Sequence, residues 1–152
     1  MKSIWSEDNG GTVLPRVTEK MIVEAEKHFG VALPSAYIEQ VNIQNGGWIT
    51  ANAVPSPSKE IQETFLGIDE IFGIGEDGGI LDSDKLINEW ELPRGIVLFG
   101  GTGHTWFGFD YRQTKVEPPV VYVESYVETV EYRLADNFQA FLSMLYVDGG
   151  EE

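Results

Sequence analysis

Apolar positions along this chain change period several times, and each change marks an element. The first helical stretch follows Thr18: Ile22, Ala25 and Phe29 fall on one face at helical spacing. Thr18 is placed to cap it, Glu19 suits its positive end, and Gly30 can end it in a left-handed conformation. Leu33-Pro34 opens a second helix, with Pro34 in its first turn and Tyr37, Ile38 and Val41 as its apolar stripe. Asn45-Gly46-Gly47 stops it, and the first two helices are expected to meet near these residues. Trp48-Ile49 resumes as a short strand.

Val54-Pro55-Ser56-Pro57-Ser58 reads as a surface loop. Phe65-Leu66 and Ile71-Phe72 read as short strands, and Asp82 or Ser83 as the cap of a third helix carrying Leu86, Ile87 and Trp90. Leu92-Pro93-Arg94-Gly95 ends that helix. Ile96-Val97-Leu98-Phe99 is continuously apolar, as a strand buried on both faces must be. Two alternating strands follow, Trp106–Tyr111 and Val120–Glu124, joined across Pro118-Pro119, and a third short one includes Thr129-Val130-Glu131. Asn137 or Asp136 caps a final helix with Phe138, Phe141, Leu142 and Leu145 as its stripe, and Asp148–Glu152 is a frayed tail. Helices at the ends and neighbouring strands between them predict an α+β fold with a mainly antiparallel sheet. A length of 152 residues predicts a single domain over 1–152.

Composition adds a sign to this fold. There are 25 acidic and 10 basic residues, a net charge of −15. Such a surface repels nucleic-acid phosphates and anionic lipid and steers basic partners inward, although acidity also serves solubility alone. The absence of cysteine excludes a disulfide framework and a thiolate zinc site, and fits a reducing cytoplasm. No apolar stretch follows Lys2 as a secretory signal would, and no run approaches the ~18 apolar residues of a membrane span. These features place the chain in the cytosol.

Motifs for chemistry are weak. Gly73-Ile74-Gly75-Glu76-Asp77-Gly78 matches a dinucleotide fingerprint in letters, but Glu76 and Asp77 stand where phosphates would sit, and a flexible acidic turn fits better. Gly100-Gly101-Thr102-Gly103-His104-Thr105 lacks the lysine of a phosphate loop and reads as a tight hairpin. His28 and His104 show no metal-ligand spacing, and Glu76, Asp77, Asp82 and Asp84 lack the calcium-loop pattern. A hydrolytic site using His104 and Asp110 would need a nucleophile elbow, which the sequence lacks. No cofactor, metal or catalytic residue is therefore expected. One strand is unusual. Alternation puts Phe107, Phe109 and Tyr111 on a core face and Trp106, Gly108 and Asp110 on the other, where Trp106 is either core or the wall of a concave spot beside a carboxylate.

Five segments in order carry a resemblance: Leu33-Pro34…Tyr37…Asn45-Gly46-Gly47; Leu92-Pro93…Ile96…Phe99-Gly100; Gly103…Trp106-Phe107-Gly108-Phe109-Asp110; Val120-Val121-Tyr122-Val123; and Asn137-Phe138-Gln139-Ala140-Phe141-Leu142. Together they resemble the SUKH superfamily, most closely the branch of the fungal cell-wall-synthesis regulator and the bacterial YobK-type immunity proteins. The resemblance runs from about Thr18 to Tyr146. It implies an α+β domain with helices packed on a mainly antiparallel curved sheet, its core at about 18–147, and no enzymatic activity. In bacteria it implies an immunity protein that binds and neutralises a secreted toxin, often a nuclease. Pro34, Asn45, Gly46 and Gly47 match the first motif, and Gly103 and Asp110 match the glycine turn and the strand ending in Asp. The alternative function is a regulatory scaffold that docks cellular partners. For a basic toxin domain, the expected contacts are the acidic loop residues Glu76, Asp77, Asp82 and Asp84, with Trp48 and Trp106 as aromatic anchors and Asp110 beside the latter.

Overall fold

The computed structural model describes residues 2–8, 11–61 and 63–149. Among the described residues there are four α-helices: α1 (Glu19–Phe29), α2 (Ser35–Ile43), α3 (Ser83–Trp90) and α4 (Phe138–Met144). Eight strands accompany them: β1 (Gly47–Trp48), β2 (Ala53–Pro55), β3 (Phe65–Gly67), β4 (Glu70–Ile71), β5 (Ile96–Thr102), β6 (Thr105–Asp110), β7 (Val120–Ser125) and β8 (Thr129–Ala135). The fold is α+β. Strands β5-β6-β7-β8 form an antiparallel meander, and β1 pairs with β4 and β2 with β3 as antiparallel ribbons. Register shifts at Leu98/Gly100 and Val120/Val121 bend the meander.

The meander is apolar on both faces, because period-two alternation sends two different apolar sets in opposite directions. One set, Phe99, Phe107 and Phe109 with Val97, Val120 and Tyr122, joins Ala25 of α1, Tyr37 and Val41 of α2, and Phe138 and Phe141 of α4 in the main core. Phe99 stacks on Phe109 at 4.7 Å between ring centroids, and Phe138 meets both edge-on at 5.3 Å. The other set, Ile96, Leu98, Trp106, Val121 and Val123, packs under Ile87 of α3 and Leu92.

Capping follows the sequence at the ends of the chain and departs from it in the middle. Thr18 Oγ1 accepts the Met21 N–H, Gly30 ends α1 at φ 71°, and Asn137 Oδ1 accepts the Ala140 N–H of α4. Pro34 lies one residue before α2 and gives no side-chain cap; the Glu117 carboxylate, 82 residues on, accepts from both the Ser35 N–H and hydroxyl instead. Asp82 occupies the N-cap position of α3, as expected, but makes no side-chain cap bond. Asp82 turns back to the loop before it, while Ser83 is buried, donating to Ile80 O and accepting the Leu98 N–H.

The structure differs from expectation at four further places. Val54-Pro55 lies in β2, and Val54 is fully buried; the loop begins at Ser56. The strand after Val127 spans seven residues, far beyond the Thr129–Glu131 core that the sequence suggests. Asn45 docks on Pro15 and Ile74, so the end of α2 meets the segment before α1. Of the tail expected to fray, Asp148 exchanges two hydrogen bonds with the Asn52 side chain, and residues 150–152 lie outside the described residues.

Candidate partner interface

The glycine-rich acidic loop is a tightly bonded structure rather than a flexible turn. Ile74 and Ile80 anchor it in the core, at 1% and 0% exposure. Ile80 N–H donates to Gly73 O, Leu81 N–H to Gly75 O, and the Asp77 and Gly78 N–H groups to the two Asp82 carboxylate oxygens. Asn45 holds the loop from below: its Oδ1 accepts the Ile74 N–H at 2.7 Å and its Nδ2 donates to Ile74 O. Gly73 is obligatory, because a Cβ there would run into Asn45. With the loop fixed in this way, Glu76 and Asp77 are held out into solvent.

A short strap joins this loop to Trp48. Gly11 packs against the Trp48 ring and the Glu70 carboxylate, with no room for a Cβ. The next residue, Thr12, donates its N–H to Glu70 Oε2 at 2.7 Å and lays its side chain against Gly78. Glu70 is the β-ladder partner of Trp48. A half-exposed indole, at 44%, therefore stands beside Glu70 and one strap away from Glu76 and Asp77. Exposed Asp69 precedes Glu70, and Ser6, whose N–H donates to Trp48 O, leads into exposed Glu7 and Asp8. The exposed indole is thus paired with the Glu70 carboxylate, and the segments bonded to it carry further exposed acidic residues.

The other candidate residues are dispersed. Asp82 is spent inside the loop. Asp84, in the first turn of α3, accepts from His28 Nε2 at 2.9 Å, at the rim of a cleft of about 200 Å³ shared with Tyr111. Trp106 is 3% exposed beneath α3, with its indole N–H bonded to Gly103 O, so the concave spot expected beside it is filled core. Asp110 is gripped by Arg112, which also bonds Glu131. Burial alone would raise the Asp110 carboxyl, but the Arg112 hydrogen bonds and charge outweigh it and hold the carboxyl below its ordinary value. His104 precedes the strand that Asp110 ends, and six extended residues put roughly 17 Å between strand ends. The pair imagined for hydrolysis is thus not assembled. Among the described residues, no group of three or more His, Cys, Asp or Glu side chains could hold a metal ion. None of their helices is long and apolar enough to cross a membrane.

Sequence reasoning missed Glu70, Gly11 and Thr12. The Thr12–Glu70 bond spans 58 positions, and no local pattern announces it.

The model of the SMI1 / KNR4 family (SUKH-1) matches residues 16–144. The chain belongs to this family. The matched SUKH-1 span runs from just before α1 to the last residue of α4 and includes Trp48, Glu70 and the acidic loop; Gly11 and Thr12 precede it. No curated protein matches the chain. SUKH proteins are known as immunity proteins against toxins, which makes binding of a protein partner the property that the surface has to explain.

Proposed function

We propose that this SUKH-1 protein is a non-catalytic immunity protein of the YobK type, acting in the cytosol to bind and neutralise a cognate secreted toxin with a basic active domain, most fittingly a nuclease. The observation that carries the reading is the half-exposed Trp48 ring set beside Glu70 and strapped to the Glu76–Asp77 loop. A nuclease has to be basic where it holds phosphate, and a carboxylate-rich face of net-negative protein complements that surface. An indole at the centre of such a face supplies the desolvated contact that charge alone does not. Rigid presentation of Glu76 and Asp77 lowers the ordering cost of binding.

The test is co-expression with the toxin domain encoded beside the gene. Cells should survive with the wild-type protein and die with Trp48→Ala/Glu76→Gln/Asp77→Asn. Equal death with and without the wild-type protein would overturn the immunity reading and favour a scaffold that docks other cellular partners.

A further inference from the structure

A second aromatic cluster, exposed at His104 and Tyr126 and half-buried at Trp90, lies where three separate segments end together: Trp90 at the end of α3, His104 in the β5–β6 turn, and Tyr126 in the β7–β8 turn. The His104 ring stacks on Tyr126 at 4.8 Å between centroids and meets Trp90 edge-on at 5.4 Å. Ser125 pins the backbones beneath them. Its N–H donates to His104 O, its carbonyl bonds His104 Nδ1, and its hydroxyl donates to Trp90 O.

The inner side of this corner is therefore fixed, while its outer side is bare. Tyr126 is 65% exposed and Val127 fully so. Both lie in a three-residue turn between the paired residues Ser125 and Thr129. Such turns ordinarily carry Gly, Asn, Asp or Ser. Neither turn geometry nor the core accounts for Tyr126-Val127 here. The segments 86–91, 101–106 and 122–130 contain Glu89, Glu91, Glu124 and Glu128 and no lysine or arginine of their own; Arg94 reaches in only to Asn88, and Glu124 already accepts from the Tyr122 hydroxyl.

We propose that this corner is a docking surface for an arginine-bearing segment of a basic protein partner. It rests on the reading of a basic partner given above and adds a contact separate from the Trp48 face. Exposed rings carried by glutamate-bearing segments suit a guanidinium, which stacks on an aromatic plane while its N–H groups reach carboxylate oxygens. A second copy of this chain fits poorly, since it would press four more carboxylates against these four. Nucleic acid and anionic lipid are repelled for the same reason.

Nona-arginine and nona-lysine peptides separate this from general attraction to an acidic protein. On titration of the ¹⁵N-labelled full chain with nona-arginine, amide shifts should concentrate at residues 89–91, 103–105 and 124–129. Nona-arginine should bind more tightly than nona-lysine. Tyr126→Ala should weaken it about three- to fivefold, the size of one exposed cation–π contact, and Tyr126→Phe should not. An unchanged circular dichroism spectrum confirms that Tyr126→Ala is folded. Equal affinity of the two peptides, shifts centred elsewhere, or indifference to Tyr126→Ala would each overturn the proposal. A toxin still bound through Trp48 in that event would leave the immunity reading standing.

Discussion

Asn45 Oδ1 accepts the Ile74 N–H at 2.7 Å, so that one buried carboxamide joins the end of α2 to the acidic loop. The same side chain donates to Pro15 O and Ile74 O, and it is 2% exposed. Asn45→Ala would leave the Ile74 N–H and two carbonyls without partners, and should cost about 2–4 kcal/mol in urea unfolding. Asn45→Asp should be worse at neutral pH, because a buried carboxylate would face two carbonyl oxygens. An Asn45→Asp protein as stable as wild type would contradict this account of the latch.

The two tryptophans first considered as anchors should separate cleanly. Trp106 fills the cluster under α3, and Trp106→Ala should destabilise by about 3–5 kcal/mol. Trp48 is half exposed, and Trp48→Ala should cost about 1 kcal/mol in stability while weakening toxin binding by about 2 kcal/mol or more, mainly through faster dissociation. Surface plasmon resonance alongside thermal melting distinguishes the two patterns.

The loop carboxylates should also divide. Glu76→Gln/Asp77→Asn removes solvent-facing charge and should slow association, with the difference from wild type shrinking as salt rises. Asp82→Asn removes an acceptor for the Asp77 and Gly78 N–H groups and should instead loosen the loop, visible as faster amide exchange at those two positions.

Asp110 gives a pH signature. Its folded carboxyl titrates below the ordinary value, so its stabilisation is complete above the unfolded value of about 3.9 and is lost as pH falls through the lower folded one. Asp110→Asn should cost about 1–2 kcal/mol at pH 7 through loss of the charged bonds to Arg112. The gap from wild type should narrow below about pH 4. A gap that widened there would show that the Arg112 contact does not set the titration.

Much of this was legible in the sequence where signals are local. Thr18, Gly30 and Asn137 act through neighbours three or four residues away, and the Phe107-Phe109-Tyr111 alternation is a property of one strand. The hidden parts all bridge distant positions. Glu117 caps α2, Glu70 holds Thr12, and Asn45 holds Ile74, each across 29 to 82 residues. The sorting of the candidate carboxylates failed for the same reason. Asp82, Asp84 and Asp110 look like Glu76 and Asp77 as letters, and differ only in the N–H groups, His28 and Arg112 that the fold brings to them.

The most direct measurement is calorimetric titration of the purified protein with the catalytically inactivated toxin domain encoded beside it. The account predicts a saturable complex that weakens about 30-fold or more in Trp48→Ala, the ratio for a loss of about 2 kcal/mol. The variant's melting temperature should stay close to wild type. Absence of binding heat with the wild-type protein, or a complex indifferent to Trp48, Glu76 and Asp77 alike, would contradict it.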